Sequence, residues 1–140
     1  MNRLLFLFVA LLFAQAASAQ ALSPEELAKR AKRKNLTVKE WNTDSSKKQR
    51  WLDNLKTYDS KGRKIEEIEY NQFGQIRRET CEYDPVSDRV IREVEYDDRN
   101  KVKMVRKYEY NDDGTKHKQY NYLPNGKLYT IKIFEYIFED

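Results

Sequence analysis

The chain has 140 residues, of which 36% are charged and 13% aromatic, with a mean hydropathy of −0.96. Disordered chains are poor in aromatics, so this composition excludes disorder and leaves room only for a thin core to which aromatics must contribute most. The formal charge of +4 is local. Removing Arg3, Lys29, Arg30, Lys32, Arg33 and Lys34 from 27 cations leaves 21, and removing Glu25 and Glu26 from 23 anions also leaves 21. A neutral body offers no basic face for nucleic acid.

Residues 1–19 read as a cleavable secretory signal peptide. Arg3 supplies the positive start, 4–13 is an unbroken apolar run, and Ala17-Ser18-Ala19 gives the small-x-small pattern before cleavage at Gln20. Ala19-Gln20-Ala21 is an overlapping second choice, so the mature chain is expected to begin at Gln20 or Leu22. The apolar run has about half of the roughly 20 residues that crossing a bilayer takes. No transmembrane segment is therefore expected after cleavage. No cysteine follows the run to carry a lipid, and the single Cys81 excludes an intramolecular disulfide. The expected location is the bacterial periplasm or the outside of the cell.

Residues 20–35 read as a short basic helix and linker. Ser23 can cap, Pro24 suits the first helical position and Glu26 closes a capping box. The basic residues fall in the last turns, to about residue 34, where they favour the helix dipole. Leu27 and Ala31 give a thin apolar stripe.

Residues 36–140 read as one β-repeat domain. Tyrosines recur at Tyr58, Tyr70, Tyr83, Tyr96, Tyr110, Tyr122 and Tyr136, 12 to 14 residues apart. A turn follows each of the first six. Asp59-Ser60-Lys61-Gly62, Asn71-Gln72-Phe73-Gly74 and Asn111-Asp112-Asp113-Gly114 put a backbone-bonding side chain first and a glycine last. Leu123-Pro124-Asn125-Gly126 keeps the glycine, Asp97-Asp98-Arg99-Asn100 substitutes asparagine, and 84–88 is one residue longer with neither. Gly62, Gly74, Gly114 and Gly126 are therefore expected at positive φ.

Between turns the pattern has period two. Two positions before each closing tyrosine stand Ile68, Cys81, Val94, Tyr108, Tyr120 and Phe134. These share a strand face with Tyr70, Tyr83, Tyr96, Tyr110, Tyr122 and Tyr136, an aromatic stripe read as core. Four positions before stand Glu66, Glu79, Arg92, Arg106, Lys118 and Lys132, read as solvated. One strand per unit joined by tight turns makes an up-and-down antiparallel meander, since parallel strands need long crossovers. Residues 36–41 and 51–58 add two less regular strands around a loop at 44–48. The fold class is all-β, a meander of about seven or eight strands with a short N-terminal helix. The charged fourth positions favour an open, curled sheet over a closed barrel. Residues 128–138 are apolar on both faces and are expected to pack against something, the helix being one candidate.

Tyr58-Asp59-x-x-Gly62-Arg63 resembles the YD-repeat signature of Rhs-type secreted and surface proteins, and Tyr70-Asn71-x-x-Gly74 and Tyr110-Asn111-x-x-Gly114 are similar to it. The resemblance spans about residues 58–136. It implies β-hairpin arrays and an extracytoplasmic life. Family members roll long arrays into a shell that can enclose a toxin domain, a plan for which this chain has too few units. No catalytic residue is carried across.

No catalytic, cofactor or metal constellation emerges. His117 lies between Lys116 and Lys118 without an orienting acid. Asp112-Asp113-Gly114 lacks the alternating ligands and distal glutamate of a calcium loop. Adjacent carboxylates such as Glu66-Glu67 point to opposite faces of a strand. Asn35-Leu36-Thr37 is a glycosylation sequon that reads as coincidence behind a bacterial leader. The expectation is a non-enzymatic interaction module whose partner is an unknown envelope protein or glycan. Open sheets recruit partner strands at their edges, whereas a glycan would stack on exposed Tyr or Trp rings.

Overall fold

The computed structural model describes residues 22–140, so the signal peptide and its cleavage at Gln20 lie outside the described residues. Helix α1 (Pro24–Ala31) precedes strands β1 (Thr37–Thr43), β2 (Arg50–Tyr58), β3 (Lys64–Asn71), β4 (Gly74–Tyr83), β5 (Val90–Tyr96), β6 (Val102–Tyr110), β7 (Lys116–Tyr122) and β8 (Leu128–Ile133). The eight strands form one sheet in sequence order, every neighbour antiparallel. β1 and β8 do not pair, so the sheet is an open meander.

The turns follow from their residues. In four of them the first residue's carbonyl accepts from the fourth residue's N–H: Asp59 from Gly62, Asp97 from Asn100, Asn111 from Gly114, Leu123 from Gly126. The fourth residue is left-handed in each, with φ of 75°, 59°, 85° and 84° respectively. Asp59 Oδ1 also accepts from the N–H groups of Lys61 and Arg63, and Asp97 Oδ1 from those of Arg99 and Lys101. Where the first residue is Leu123, Asn125 accepts from Lys127 instead. Gly74 differs, opening β4 directly opposite Asn71 with φ 134°. In the longer turn Asp88 takes the left-handed position.

Every hairpin carries the same irregularity. Where a strand reaches its tyrosine, the facing strand has one residue too many: Ile65, Ile76, Ile91, Lys103, His117 and Tyr129 in β3 to β8. Asp53 is the equivalent in β2. Such bulges leave one residue unpaired and increase the local right-handed twist.

The expected single aromatic stripe is corrected. Arg78 pairs opposite Tyr96 and shares its face, while Tyr83, five residues along β4, points to the other. Val105 relates Tyr122 to Tyr110 in the same way. Tyr70, Tyr96 and Tyr122 therefore sit on one face at one end of the strands, and Tyr83, Tyr110 and Tyr136 on the opposite face at the other end. Alternate strands run in opposite directions, so a one-strand repeat cannot keep its markers on one line.

The core is also thinner and more polar than expected. Among the described residues Val94, 4% exposed, is the one fully buried hydrophobic side chain, beside Thr80 and Val105 on the valine face. The other buried side chains are Asn54, Glu95 and Gln119, on the reverse face. Most tyrosines are half-buried and Tyr136 is exposed. A single sheet with one short helix leaves both faces partly in water.

α1 ends at Ala31, short of the expected 34, because Asn35 turns left-handed at φ 53° to lead into β1. Ser23 caps it through Glu26 N–H. The apolar stripe does not dock it, Leu27 being exposed. Arg30 does: its guanidinium donates to Asp88 Oδ2 at 2.7 Å and to the Asp88 carbonyl at 2.9 Å. Arg63 donates to Asp88 Oδ1 at 2.5 Å and to Asp59 Oδ2 at 2.8 Å. α1 thus lies over the turns after β2 and β4, and among the described residues no helix packs on β8 at the far side of the sheet, contrary to expectation.

Candidate functional site: an ion-pair face and an open edge

The two tyrosine rows are built differently. At one end Tyr83, Tyr110 and Tyr136 donate their hydroxyls to the carbonyls of Lys64, Val90 and Lys116, each the first residue of the preceding strand. Arg30 and Arg63 lie over the Tyr83 ring and Arg89 over the Tyr110 ring. Burial pushes the Tyr83 phenol well up and the Tyr110 phenol to about 12. At the other end Tyr96 and Tyr122 are capped by Arg78 and Lys107. The period in the sequence locates these tyrosines but does not reveal the carbonyl each one reaches.

Of the fourth-position charges expected in solvent, Glu79 and Arg106 are half-buried on the ion-pair face, Glu66, Arg92 and Lys118 lie half-buried on the valine face, and Lys132 is exposed. Glu67, Glu79 and Glu95 stand directly opposite one another across β3, β4 and β5, an arrangement unfavourable for like charges. Arginines relieve it. Arg77 reaches Glu69 at 3.1 Å, Glu79 at 2.5 Å and Glu95 at 3.5 Å, and Arg106 bonds Glu95 and lies 3.4 Å from Glu79. Lys64 bonds Glu67. Burial works against the charged form of Glu95, yet the Arg106 hydrogen bond and the charges of Arg106, Arg77 and Lys103 hold its carboxyl below the ordinary value. Glu79 goes the other way, raised by burial and by the Glu93 carboxylate. One cation, Arg77, among the glutamates at 67, 69 and 79 was the available sequence signal.

Beside this lattice the ligand atoms of Glu79, Cys81 and Glu93 lie within 4.8 Å of one another. Burial and the two carboxylates push the Cys81 thiol up to about 12, so it is a protonated, poor nucleophile near neutrality. Glu93 accepts from the Tyr108 hydroxyl at 2.7 Å, and Arg77 and Arg106 already serve Glu79. The cluster is a part of the ion-pair lattice. His117 is the exposed extra residue of the β7 bulge.

Two clefts flank these elements. One of about 620 Å³ lies between α1 and the sheet end, lined by Glu26, Arg30, Tyr83, Arg89, Tyr110 and Asp113 among others. Another, of about 500 Å³, is lined by Ile91, Arg92, Lys107, Tyr108, Tyr120 and Tyr122 among others.

The edges differ. Every residue of β8 is exposed, and four of its six are large and apolar: Leu128, Tyr129, Ile131 and Ile133. Ile137 and Phe138 beyond it are 81% and 93% exposed. β1 is also open but polar, with Lys39, Glu40 and Asn42 around Trp41. Phe134 N–H donates to the His117 carbonyl. Backbone groups alternate sides along a strand, so Lys132 and Thr130 also face β7, while Ile131 and Ile133 present N–H and C=O outward.

No protein-family model matches the chain, and no curated protein matches it. Among solved structures it is similar to a mutant of S. aureus TarM crystallised with fondaparinux, alpha-GlcNAc-glycerol and UDP, at 17% identity and a TM-score of 0.29. The match covers 79% of this chain and 22% of that one. Among the described residues no helix is long and apolar enough to cross a membrane.

Proposed function

We propose that the chain is an exported, non-enzymatic β-repeat module that engages a partner strand at β8, in the bacterial envelope or outside the cell. One observation carries the reading: among the described residues β8 is open along its length, apolar on its side chains and unpaired in its outward backbone groups. Native sheets blunt such edges with charge, proline or cover, and β8 has only Lys132. Strand addition at an edge supplies main-chain bonds for affinity and side-chain pockets for specificity.

The test is a photo-cross-linking residue at Ile133 or, as control, at Thr43 in β1, with the exported protein mixed with envelope extract. Adducts are expected from position 133 and not from 43, and Ile131→Pro should abolish them. That variant removes an outward N–H, which an edge strand tolerates. Equal adducts at both edges, or adducts that survive Ile131→Pro, overturn the reading. Mass spectrometry of the exported form should find Gln20 or Leu22 at the N-terminus; retention of residues 4–13 would refute export by a cleaved leader.

A second reading, glycan binding, is favoured by the cleft carrying Tyr120 and Tyr122 beside Lys107 and Arg92. A glycan array separates the two. Binding lost in Tyr122→Ala and kept in Ile131→Pro would select this second reading.

A further inference from the structure

We infer that the strand β8 takes is the β8 of a second copy of this chain, joining two meanders into one continuous sheet across a two-fold axis at Ile131. This rests on the edge-capture reading above and names its partner.

The geometry of the edge selects the occupant. Each step from β2 to β8 adds an antiparallel strand to the last, and a two-fold axis perpendicular to the sheet places the partner's β8 antiparallel to this one. A perpendicular axis also keeps each face continuous, so a residue must pair with one on its own face. That condition centres the axis on a residue. Centred on Lys132, it would set two ammonium groups opposite each other. Centred on Ile131, it sets Ile131 against its own copy and Lys132 against the uncharged Thr130, with Ile133 facing the bulge at Tyr129. Ile131 is also a residue whose N–H and C=O point outward, so the two copies exchange both bonds at the axis. Apolar side chains that are 47% and 60% exposed at Ile131 and Ile133 are covered in the same step. β1 fits less well as the partner of β8, because its row of Lys39, Glu40 and Asn42 would lie against Ile131 and its neighbours. β8-to-β1 pairing is also head-to-tail, which leaves a free edge on each pair and does not stop at two copies.

Sedimentation equilibrium on the exported protein is expected to give a mass that rises with concentration from one chain to two and stops there. Ile131→Pro should be monomeric throughout. Ile131→Lys, which keeps every backbone group but places two ammonium groups across the axis, should weaken the dimer at least tenfold and recover partly in high salt. Facing residues of a hydrogen-bonded pair have Cα atoms about 5.5 Å apart, within disulfide range. Mild oxidation should therefore link Ile131→Cys into a covalent dimer and leave Lys132→Cys and the parent, with its half-buried Cys81 away from the edge, unlinked.

A parent that stays monomeric at every concentration overturns the inference, as does a mass that climbs past two, the mark of β8-to-β1 chains. Linking of Thr130→Cys in preference to Ile131→Cys overturns the register. If the parent is monomeric while Ile131→Pro still abolishes envelope adducts at position 133, this inference falls and the function proposed above stands. If neither mass nor adducts respond to Ile131→Pro and Ile131→Lys, both fall.

Discussion

Tyr110 and Tyr122 close equivalent repeats but hold different positions. Tyr110 donates to the Val90 carbonyl at 2.5 Å, whereas Tyr122 is capped by Lys107. Tyr110→Phe should therefore lower unfolding free energy by about 1 kcal/mol, the usual net worth of a hydrogen bond, and Tyr122→Phe by less than about 0.5 kcal/mol; urea titration checks both. The glycines separate similarly. A Cβ at Gly126 meets nothing within 4 Å, so Gly126→Ala should cost only the left-handed strain, about 1 kcal/mol. At Gly62 it would lie 1.9 Å from the Arg30 carbonyl, so Gly62→Ala should cost more and also displace α1. Acid titration belongs at this scale too. Despite burial, Asp59 and Glu67 are held below ordinary carboxylate values by their hydrogen bonds and neighbouring cations, like Glu95. Their stabilisation is full above the unfolded value, near about 4, and is lost as pH falls through the lower folded values. Glu79, raised by burial and Glu93, has the opposite sign, its contribution fading as pH rises through its folded value. The urea midpoint should drop between about pH 5 and 3, and Glu95→Gln should shrink the drop; an unchanged acid limb in that variant would contradict the lattice.

Elements were legible where local chemistry decides them. The turn residues, the one-strand period and the cap at Ser23 are short-range signals, and they marked about seven or eight strands and the helix start. The helix end, the bulges and the partners of the charges depend on neighbouring strands and so left weaker traces. Arg30 is an example. In the sequence it is one of five basic residues at a helix end, while in the fold its side chain is 11% exposed against Asp88. Arg30→Ala should free α1 without unmaking the sheet. Limited proteolysis should then cut within 24–34 under conditions that spare the parent, with the main unfolding transition shifted by less than about 2 kcal/mol. Simultaneous collapse of the sheet would show that the helix is integral to it.

At the scale of the whole molecule, the tyrosine rows alternate between faces and between ends, and this makes the meander a structure with parity. Removing 111–122, one unit, would hang β8 on β6, whose Tyr110 lies on the ion-pair face, instead of on β7, whose Tyr122 lies on the valine face. β8 would arrive upside down and running the other way, with its isoleucines turned to the ion-pair face. Removing 97–122, two units, would bring β8 to β5 with Tyr96 standing where Tyr122 stood, and nothing downstream would be inverted. The two-unit deletion should yield a shorter folded sheet with a single cooperative melt, and the one-unit deletion, although it removes less, should not. Such a chain can gain or lose length only in even steps, so the smallest heritable change in its size is a pair of strands.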